Sequence, residues 1–499
     1  MTKFLMIQGT SSNAGKSSLV AAFCRILSDK GYRVAPLKAQ NMSSNLYITK
    51  DGLEMAKAQA IQAIASRTEP TPYMNPILLK PMGDYVSRVV LLGKTYRDMH
   101  AKFYYSRFVM QKGITYVKKA VEKLSENYDV VVIEGAGSPA EINIEDYDIA
   151  NMKLAEMLNA PVLIVADIER GGCFASIVGT MDLLKPKHRK LVKGFIINKF
   201  RGDKSILDPA IAHVEKVTKK PVLAVVPFVD DMSLPNEDSL GIEVGRPKND
   251  LINIAVIKYP NAVNITDFEP LLLSSDSVNT YYVTSSNKLS DADLVLLPSS
   301  RNLLHDLKWM KEKKITDDLK SLRRKNIPII GICEGFAMMG KQIHTDHKKI
   351  DGLGLLDAKV YSGRKLEGSV NLKVASRKPI VYTNGKMMNA YLREHYRVVN
   401  GKNALPLFHI LKLNDKERKF AEGSISRDGF ALGCSVYGLF DTPAIRNSVI
   451  EYLSKKKKIR VKMHGMDASR FWDQQIQRFS EIVKNNTEME YVMKLVGVV

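Results

Sequence analysis

Short runs of aliphatic and β-branched residues alternate along this chain with longer stretches in which apolar positions recur at helical spacing. Residues 4–7 form the first run, 17–30 a helical stretch closed by Gly31, and 34–37 a second run. Further runs follow at 130–133, 162–166, 195–197 and 222–226. Continuous apolar strands joined by helices predict a parallel sheet covered on both faces. This block ends near Phe228, and polar residues 230–249, with Pro235 and Pro247, predict a linker. A second α/β set opens at 252–257, continues through 294–297 and 327–332, and runs to about residue 453. The last forty or so residues have a helical, basic pattern in which Trp472 and Phe479 are the expected packing anchors. The expected division is a domain at 1–229, a linker at 230–250, a second domain at 251–455 and a basic helical tail at 456–499. No internal repeat or low-complexity tract interrupts it.

Composition narrows the class. A chain of 499 residues exceeds one ordinary core, and 45% hydrophobic with 25% charged residues is normal for a folded soluble protein. No run of 18 apolar residues predicts a membrane span, and the N-terminus lacks the apolar stretch of a secretory leader. Four widely spaced cysteines, Cys24, Cys173, Cys333 and Cys434, suit a reducing cytoplasm better than a disulfide framework or a zinc site. The formal charge of +21 admits nucleic acid, an anionic small substrate with a nucleotide, or a solvated lysine-rich surface. The basic runs at 323–325 and 455–458 have no interleaved aromatics, so surface lysine is the main reading and no nucleic-acid partner is expected.

Between the first strand and the first helix the chain reads Gly9-Thr-Ser-Ser-Asn-Ala-Gly15-Lys16-Ser17. A glycine-rich turn opening a helix points backbone N–H groups at phosphate oxygens. In that setting Lys16 bridges the terminal phosphates and the Ser17 hydroxyl ligates Mg²⁺. One extra residue separates Gly9 from Gly15 relative to the strict P-loop spacing, and no lysine precedes the loop as in partition-type ATPases. Glu134, ending the 130–133 run, points into the crevice at the carboxyl end of a parallel sheet and is a second candidate for Mg²⁺. Asp167 and Arg170 repeat the arrangement one strand on, and Asn198 ends the next and is placed to read a base edge.

These residues resemble the cobyric acid synthase family. The matching stretches are 8–27, 35–45, 58–63, 74–81, 131–156, 165–180, 194–203 and 238–243, and the resemblance continues more weakly to about residue 450. It implies a dethiobiotin synthetase-like first domain and a class I glutamine amidotransferase-like second domain. It implies ATP-dependent activation of peripheral carboxylates of adenosylcobyrinic acid a,c-diamide, followed by attack of ammonia. By the same resemblance, Gly9, Ser12, Asn13, Ala14, Gly15, Lys16, Ser17 and Asn198 bind nucleotide. Gln40, Asn41, Lys80, Asp167 and Arg170 face the substrate.

The second domain carries Gly331-Ile-Cys333-Glu-Gly335 between a strand and a helical pattern, the sequence of a nucleophile elbow with cysteine in place of serine. A thiolate at a helix N-terminus is favoured by the local field. Against the family pattern, Glu334 replaces the glycine after the nucleophile and Ser299 the glycine of a Pro-Gly-Ser segment. Tyr437 stands where the family has the histidine of His-Gly-Leu-Phe-Asp. A tyrosine is a poor base at neutral pH, and Glu334 places negative charge beside the thiol. His395 and His409 lie nearby in sequence and are alternative candidates for that base, with ordinary surface or core histidines the main reading. The expected nitrogen source is therefore glutamine or, given these changes, free ammonia. A cobyrinic acid a,c-diamide synthase, a silent nucleotide-dependent corrinoid-binding module and, more weakly, a DNA-bound ATPase stay open as alternatives.

Overall fold

A computed structural model describes residues 2–83, 85–229, 246–272, 274–286, 289–345, 348–376, 378–383, 385–463 and 468–498. Most of the expected linker and all of 238–243 lie outside them. Contacts divide the chain into two compact units, Met1–Asp238 joined by Trp472–Val499, and Ser239–Phe471.

The first unit is built on β1 (Lys3–Gly9), followed by helix α1 (Lys16–Asp29) and β2 (Val34–Leu37). Two elements matter later: a short strand, β3 (Gln40–Met42), and helix α2 (Lys57–Ala65). Strand β4 (Ile77–Gly83) pairs in parallel with β3. The main sheet is completed by β5 (Val130–Glu134), β6 (Val162–Asp167), β7 (Val192–Phe200) and β8 (Val222–Pro227). Its order is β8-β7-β6-β1-β5-β2, parallel throughout. Alternate residues of each strand feed two separate cores, so Met6, Val131 and Ile164 face one layer and Leu5, Val132 and Leu163 the other. That two-sided burial is why the strands read as unbroken apolar runs.

The last helices, Ala468–Asn485 and Met489–Val496, set Ile476, Phe479, Val483 and Val492 into the same core as Leu19 and Phe23 of α1. Arg25 of α1 is fully buried there and is neutralised by Asp473 at 2.5 Å, with its Nε donating to the Ala65 carbonyl at 2.8 Å. Of the tail expected at 456–499, residues 472–499 thus pack as part of the first unit.

The second unit contains β9 (Ile252–Ile257), β10 (Val278–Val283), β11 (Leu294–Leu297) and β12 (Ile329–Ile332), with helix α3 (Glu334–Met338) following directly. The long strands β13 (Ala358–Val374) and β14 (Met387–Asn400) form an antiparallel pair. They are followed by β15 (Ala404–Leu405), β16 (Ser424–Ser426), β17 (Ala431–Cys434) and β18 (Val436–Tyr437). The central order is β10-β9-β11-β12-β17-β16-β15, parallel from β10 to β17 and antiparallel beyond. Strand β18 leaves that sheet and pairs with β14, which brings Tyr437 beside Tyr391 and Val436 beside Leu392.

Candidate functional site

The loop from β1 to α1 is held by its own left-handed residues. Asn13 has φ 61° and Gly15 φ 98°, a turn that lines up backbone N–H groups at the start of α1. A Cβ on Gly15 would lie 2.1 Å from the Asn198 amide nitrogen, so close approach as well as positive φ requires glycine. Asn198, at the end of β7, donates its Nδ2–H to the Ala14 carbonyl at 2.9 Å, and neighbouring Lys199 donates to the Asn13 carbonyl at 2.8 Å. In this structure Asn198 therefore clamps the loop. Lys16 is buried, its ammonium donating to Ser11 O at 2.9 Å and Gly137 O at 3.1 Å. That places a cation inside the turn that Gly9 and Gly15 form.

Glu134 ends β5 with no exposed surface. Its Oε1 accepts from the Ser17 hydroxyl at 2.7 Å and the Lys38 ammonium at 2.8 Å. Its Oε2 accepts from Gln59 at 3.2 Å and Gln62 at 2.5 Å, both on α2. A carboxylate has about four acceptor positions, and these four donors fill them. A buried carboxylate without such compensation is costly. The Ser17 hydroxyl and Glu134 carboxylate are hard oxygen donors side by side at the mouth of the loop. That donor set fits Mg²⁺, which would take the place of the hydrogen bond between them.

The other first-unit candidates spread around this centre. Asn41 is buried and donates to Gln59 Oε1 at 2.6 Å, while Gln40 Oε1 accepts from the Tyr104 hydroxyl at 2.7 Å. Lys80 is paired with Glu54 at 2.9 Å. Asp167 is paired with Lys199 at 2.7 Å, and the largely exposed Arg170 approaches it only to 3.9 Å. Ser12 lies exposed at the tip of the loop.

In the second unit Cys333 sits between β12 and α3 with φ 50° and ψ −112°, outside the regions comfortable for a side-chain-bearing residue. Two residues on, the turn has room only for glycine: a Cβ on Gly335 would lie 2.2 Å from the Leu297 carbonyl oxygen. This is the strained strand-to-helix turn of a nucleophile elbow. Burial pushes the Cys333 thiol well above its ordinary range, Glu334 pushes it further, and a hydrogen bond with Tyr437 offsets only part. Burial, Cys333 and Glu334 likewise hold the Tyr437 phenol well above its own range.

Comparison with known proteins decides the family. Residues 5–240 match the CobQ/CobB/MinD/ParA nucleotide binding domain, and residues 253–445 match the CobB/CobQ-like glutamine amidotransferase domain. A cobyric acid synthase from Clostridium botulinum (strain ATCC 19397 / Type A) is 39% identical over 500 residues, covering 99% of each chain. A probable cobyric acid synthase from Thermococcus kodakarensis is 40% identical over 506 residues, covering 100% of each. One from Thermoanaerobacter sp. (strain X514) is 39% identical over 504 residues, covering 98% of each. The chain belongs to the cobyric acid synthase family.

Ser299, Glu334 and Tyr437, the three positions read from the sequence as departures from the resemblance, meet in space. The Ser299 hydroxyl donates to Glu334 Oε2, which also accepts the Ser300 N–H at 3.3 Å, and Ser299 lies 3.4 Å from the Tyr437 hydroxyl. His395, on β14, contacts Glu334 Oε1 through Nδ1 at 2.7 Å, and Arg393 donates to its Nε2 at 3.1 Å. Burial alone would push the Glu334 carboxyl up; His395 and Ser299 outweigh it and hold the group below the usual glutamate range. His395 is thus the ring hydrogen-bonded to the buried Glu334 carboxylate, and not a histidine isolated on the surface. His409 is exposed on the strand Phe408–Leu413. Sequence reasoning also missed Lys38, Gln59 and Gln62, although all three lie in or beside the stretches 35–45 and 58–63 that carried the resemblance. Among the described residues no helix is long and apolar enough to cross a membrane, and no group of three or more His, Cys, Asp or Glu could hold a metal ion.

Proposed function

We propose that this chain uses ATP to amidate the peripheral b, d, e and g carboxylates of adenosylcobyrinic acid a,c-diamide, with free ammonia as the effective nitrogen donor. The observation that carries the reaction is end-to-end similarity to cobyric acid synthases joined to the geometry around Lys16, Ser17 and Glu134. A carboxylate resists attack by ammonia until it is phosphorylated. In the proposed course a substrate carboxylate oxygen takes the terminal phosphoryl group and ADP departs. Ammonia then adds to the acyl phosphate carbon, and phosphate leaves with the proton balance met by solvent. The loop N–H groups and the Lys16 ammonium hold phosphate charge throughout. Mg²⁺, held by Ser17 and Glu134, would supply further charge neutralisation at the phosphates. Gln40, Asn41, Lys80, Asp167 and Arg170 are the proposed substrate-side residues.

The donor assignment rests on one cluster. The donors of the 299–300 segment are engaged by the Glu334 carboxylate, the thiol is held protonated, and the residue at the base position is a phenol that stays protonated at neutral pH. A phenol so held cannot take the Cys333 proton at neutral pH. The test is mass spectrometry of adenosylcobyrinic acid a,c-diamide incubated with ATP, Mg²⁺ and either ammonium or glutamine. Stepwise replacement of hydroxyl by amine with ammonium is the expected result. ATP hydrolysis that corrinoid does not stimulate, with no mass change, would leave a binding module instead.

A further inference from the structure

Four buried side chains link the proposed substrate side of the first unit to its proposed metal side. Asn41 lies on β3, Gln59 and Gln62 on α2, and Glu134 at the end of β5. All four are at least 98% buried. The direction of donation is the same along the whole series. Asn41 Nδ2 donates to Gln59 Oε1 at 2.6 Å, and Gln59 Nε2 donates onward to Glu134 Oε2 at 3.2 Å. Gln62 Nε2 donates to the same oxygen at 2.5 Å and to the Ser17 carbonyl at 3.2 Å, while Gln62 Oε1 faces Gln59 Nε2 at 3.4 Å. Two buried amides therefore converge on one oxygen of a carboxylate whose other oxygen meets Ser17 and Lys38.

Packing alone does not account for this. A leucine at 59 or 62 would fill similar volume without burying an amide, and buried amides are costly unless satisfied. What the amides supply is orientation. An Oε2 anchored by two fixed donors leaves the carboxylate no freedom to rotate, so Oε1 is presented to Ser17.

We infer that Gln59 and Gln62 are positioning residues that fix the Glu134 carboxylate for the metal. We further infer that the Asn41–Gln59 hydrogen bond makes corrinoid binding at β3 and metal–nucleotide binding at Glu134 reinforce each other. The inference rests on Glu134 being a metal ligand. Such coupling is reciprocal: whatever factor corrinoid adds to nucleotide affinity, nucleotide adds to corrinoid affinity.

The test is equilibrium binding of a non-hydrolysable ATP analogue to the full-length chain, with and without Mg²⁺ and with and without adenosylcobyrinic acid a,c-diamide. Gln62→Leu should lower the Mg²⁺-dependent part of the affinity about tenfold, the weight of one hydrogen bond to a charged group, while Mg²⁺-free affinity stays unchanged. With corrinoid held at saturation for each variant, Asn41→Ser, which leaves α2 intact, should remove the enhancement of nucleotide affinity by corrinoid. Glu134→Gln is the control. If it leaves the Mg²⁺ dependence unchanged, the metal reading itself fails. If it alters that dependence and folded Gln62→Leu does not, the positioning role is overturned with the metal reading intact. Mutual enhancement that survives in Asn41→Ser overturns the link between the two sides.

Discussion

Both units set a candidate site residue, Lys16 in one and Cys333 in the other, on a turn from a parallel strand into a helix, and the two turns differ in what the rest of the fold brings to them. At the β1–α1 loop, Asn198 and Lys199 clamp carbonyl oxygens, and Glu134 is braced by residues from α1, α2 and the segment after β2. At the β12–α3 elbow the turn is equally well formed, with Cys333 in its strained conformation. Yet the neighbouring donors are turned on Glu334, and His395 is hydrogen-bonded to it. The shape of such a turn is set locally by strand, helix and glycine. Its chemistry is set by side chains delivered from elsewhere, and these change without disturbing the fold.

The comparison breaks most sharply at the first turn. Lys16→Ala should lower amidation with ammonium or glutamine by about a thousandfold or more, since charge stabilisation at the phosphoryl group is lost. Full activity in a folded variant, measured by product mass, would remove the synthetase assignment. The second turn gives the next largest effect. Loss of a general base costs roughly two to four orders of magnitude, so glutamine should support amidation at least about a hundredfold less well than ammonium. Cys333→Ala should hardly change the ammonium-driven rate. Robust glutamate release from glutamine by the unmodified chain, abolished in Cys333→Ala, would show that another residue acts as base.

Two buried carboxyl groups sharpen the same contrast. Glu134 has four donors, whereas Glu422 accepts the Ser435 N–H at 2.7 Å through Oε1 and, among the described residues, has no hydrogen-bond partner at Oε2. Glu134→Gln removes the anionic oxygen and should raise the half-saturating Mg²⁺ concentration by about ten- to a hundredfold; an unchanged value returns Glu134 to a purely structural role. Burial, helped by the charge of Glu394, raises the Glu422 carboxyl from its ordinary 4.5 to about 8. The folded state thus holds this proton more tightly than the unfolded one. Its stabilising effect is complete below about pH 4.5 and is lost as pH rises toward 8, at up to about 1.4 kcal/mol per pH unit. Denaturant melts at pH 5 and pH 8 should show the second unit weakening, and Glu422→Gln should flatten that slope. The smallest change is expected from Tyr437→His, because Glu334 still sits beside the thiol and disfavours the thiolate. Glutamate release restored by that single substitution would assign the whole defect to the missing base.

Much of this was legible in the residues alone. The continuous apolar runs specify a parallel sheet because both of its faces are buried. Gly15-Lys16-Ser17 after such a run specifies a phosphate loop because positive φ and a helix N-terminus are local properties. Gly331 to Gly335 specify an elbow for the same reason. What the sequence could not show is which distant side chains meet. Gln59 and Gln62 look like any polar residues of an amphipathic helix until α2 is packed against the end of β5. His395 becomes a hydrogen-bond partner of Glu334 only because β14 passes it. The final helices join the first core although more than 200 residues of a second unit intervene, because burying Phe479 and pairing Arg25 with Asp473 depend on spatial fit and not on chain order. Hydrogen bonds and charge pairs act over a few ångströms, so their partners are fixed by tertiary structure, while strand periodicity and turn conformation are fixed over a few residues and can be read directly.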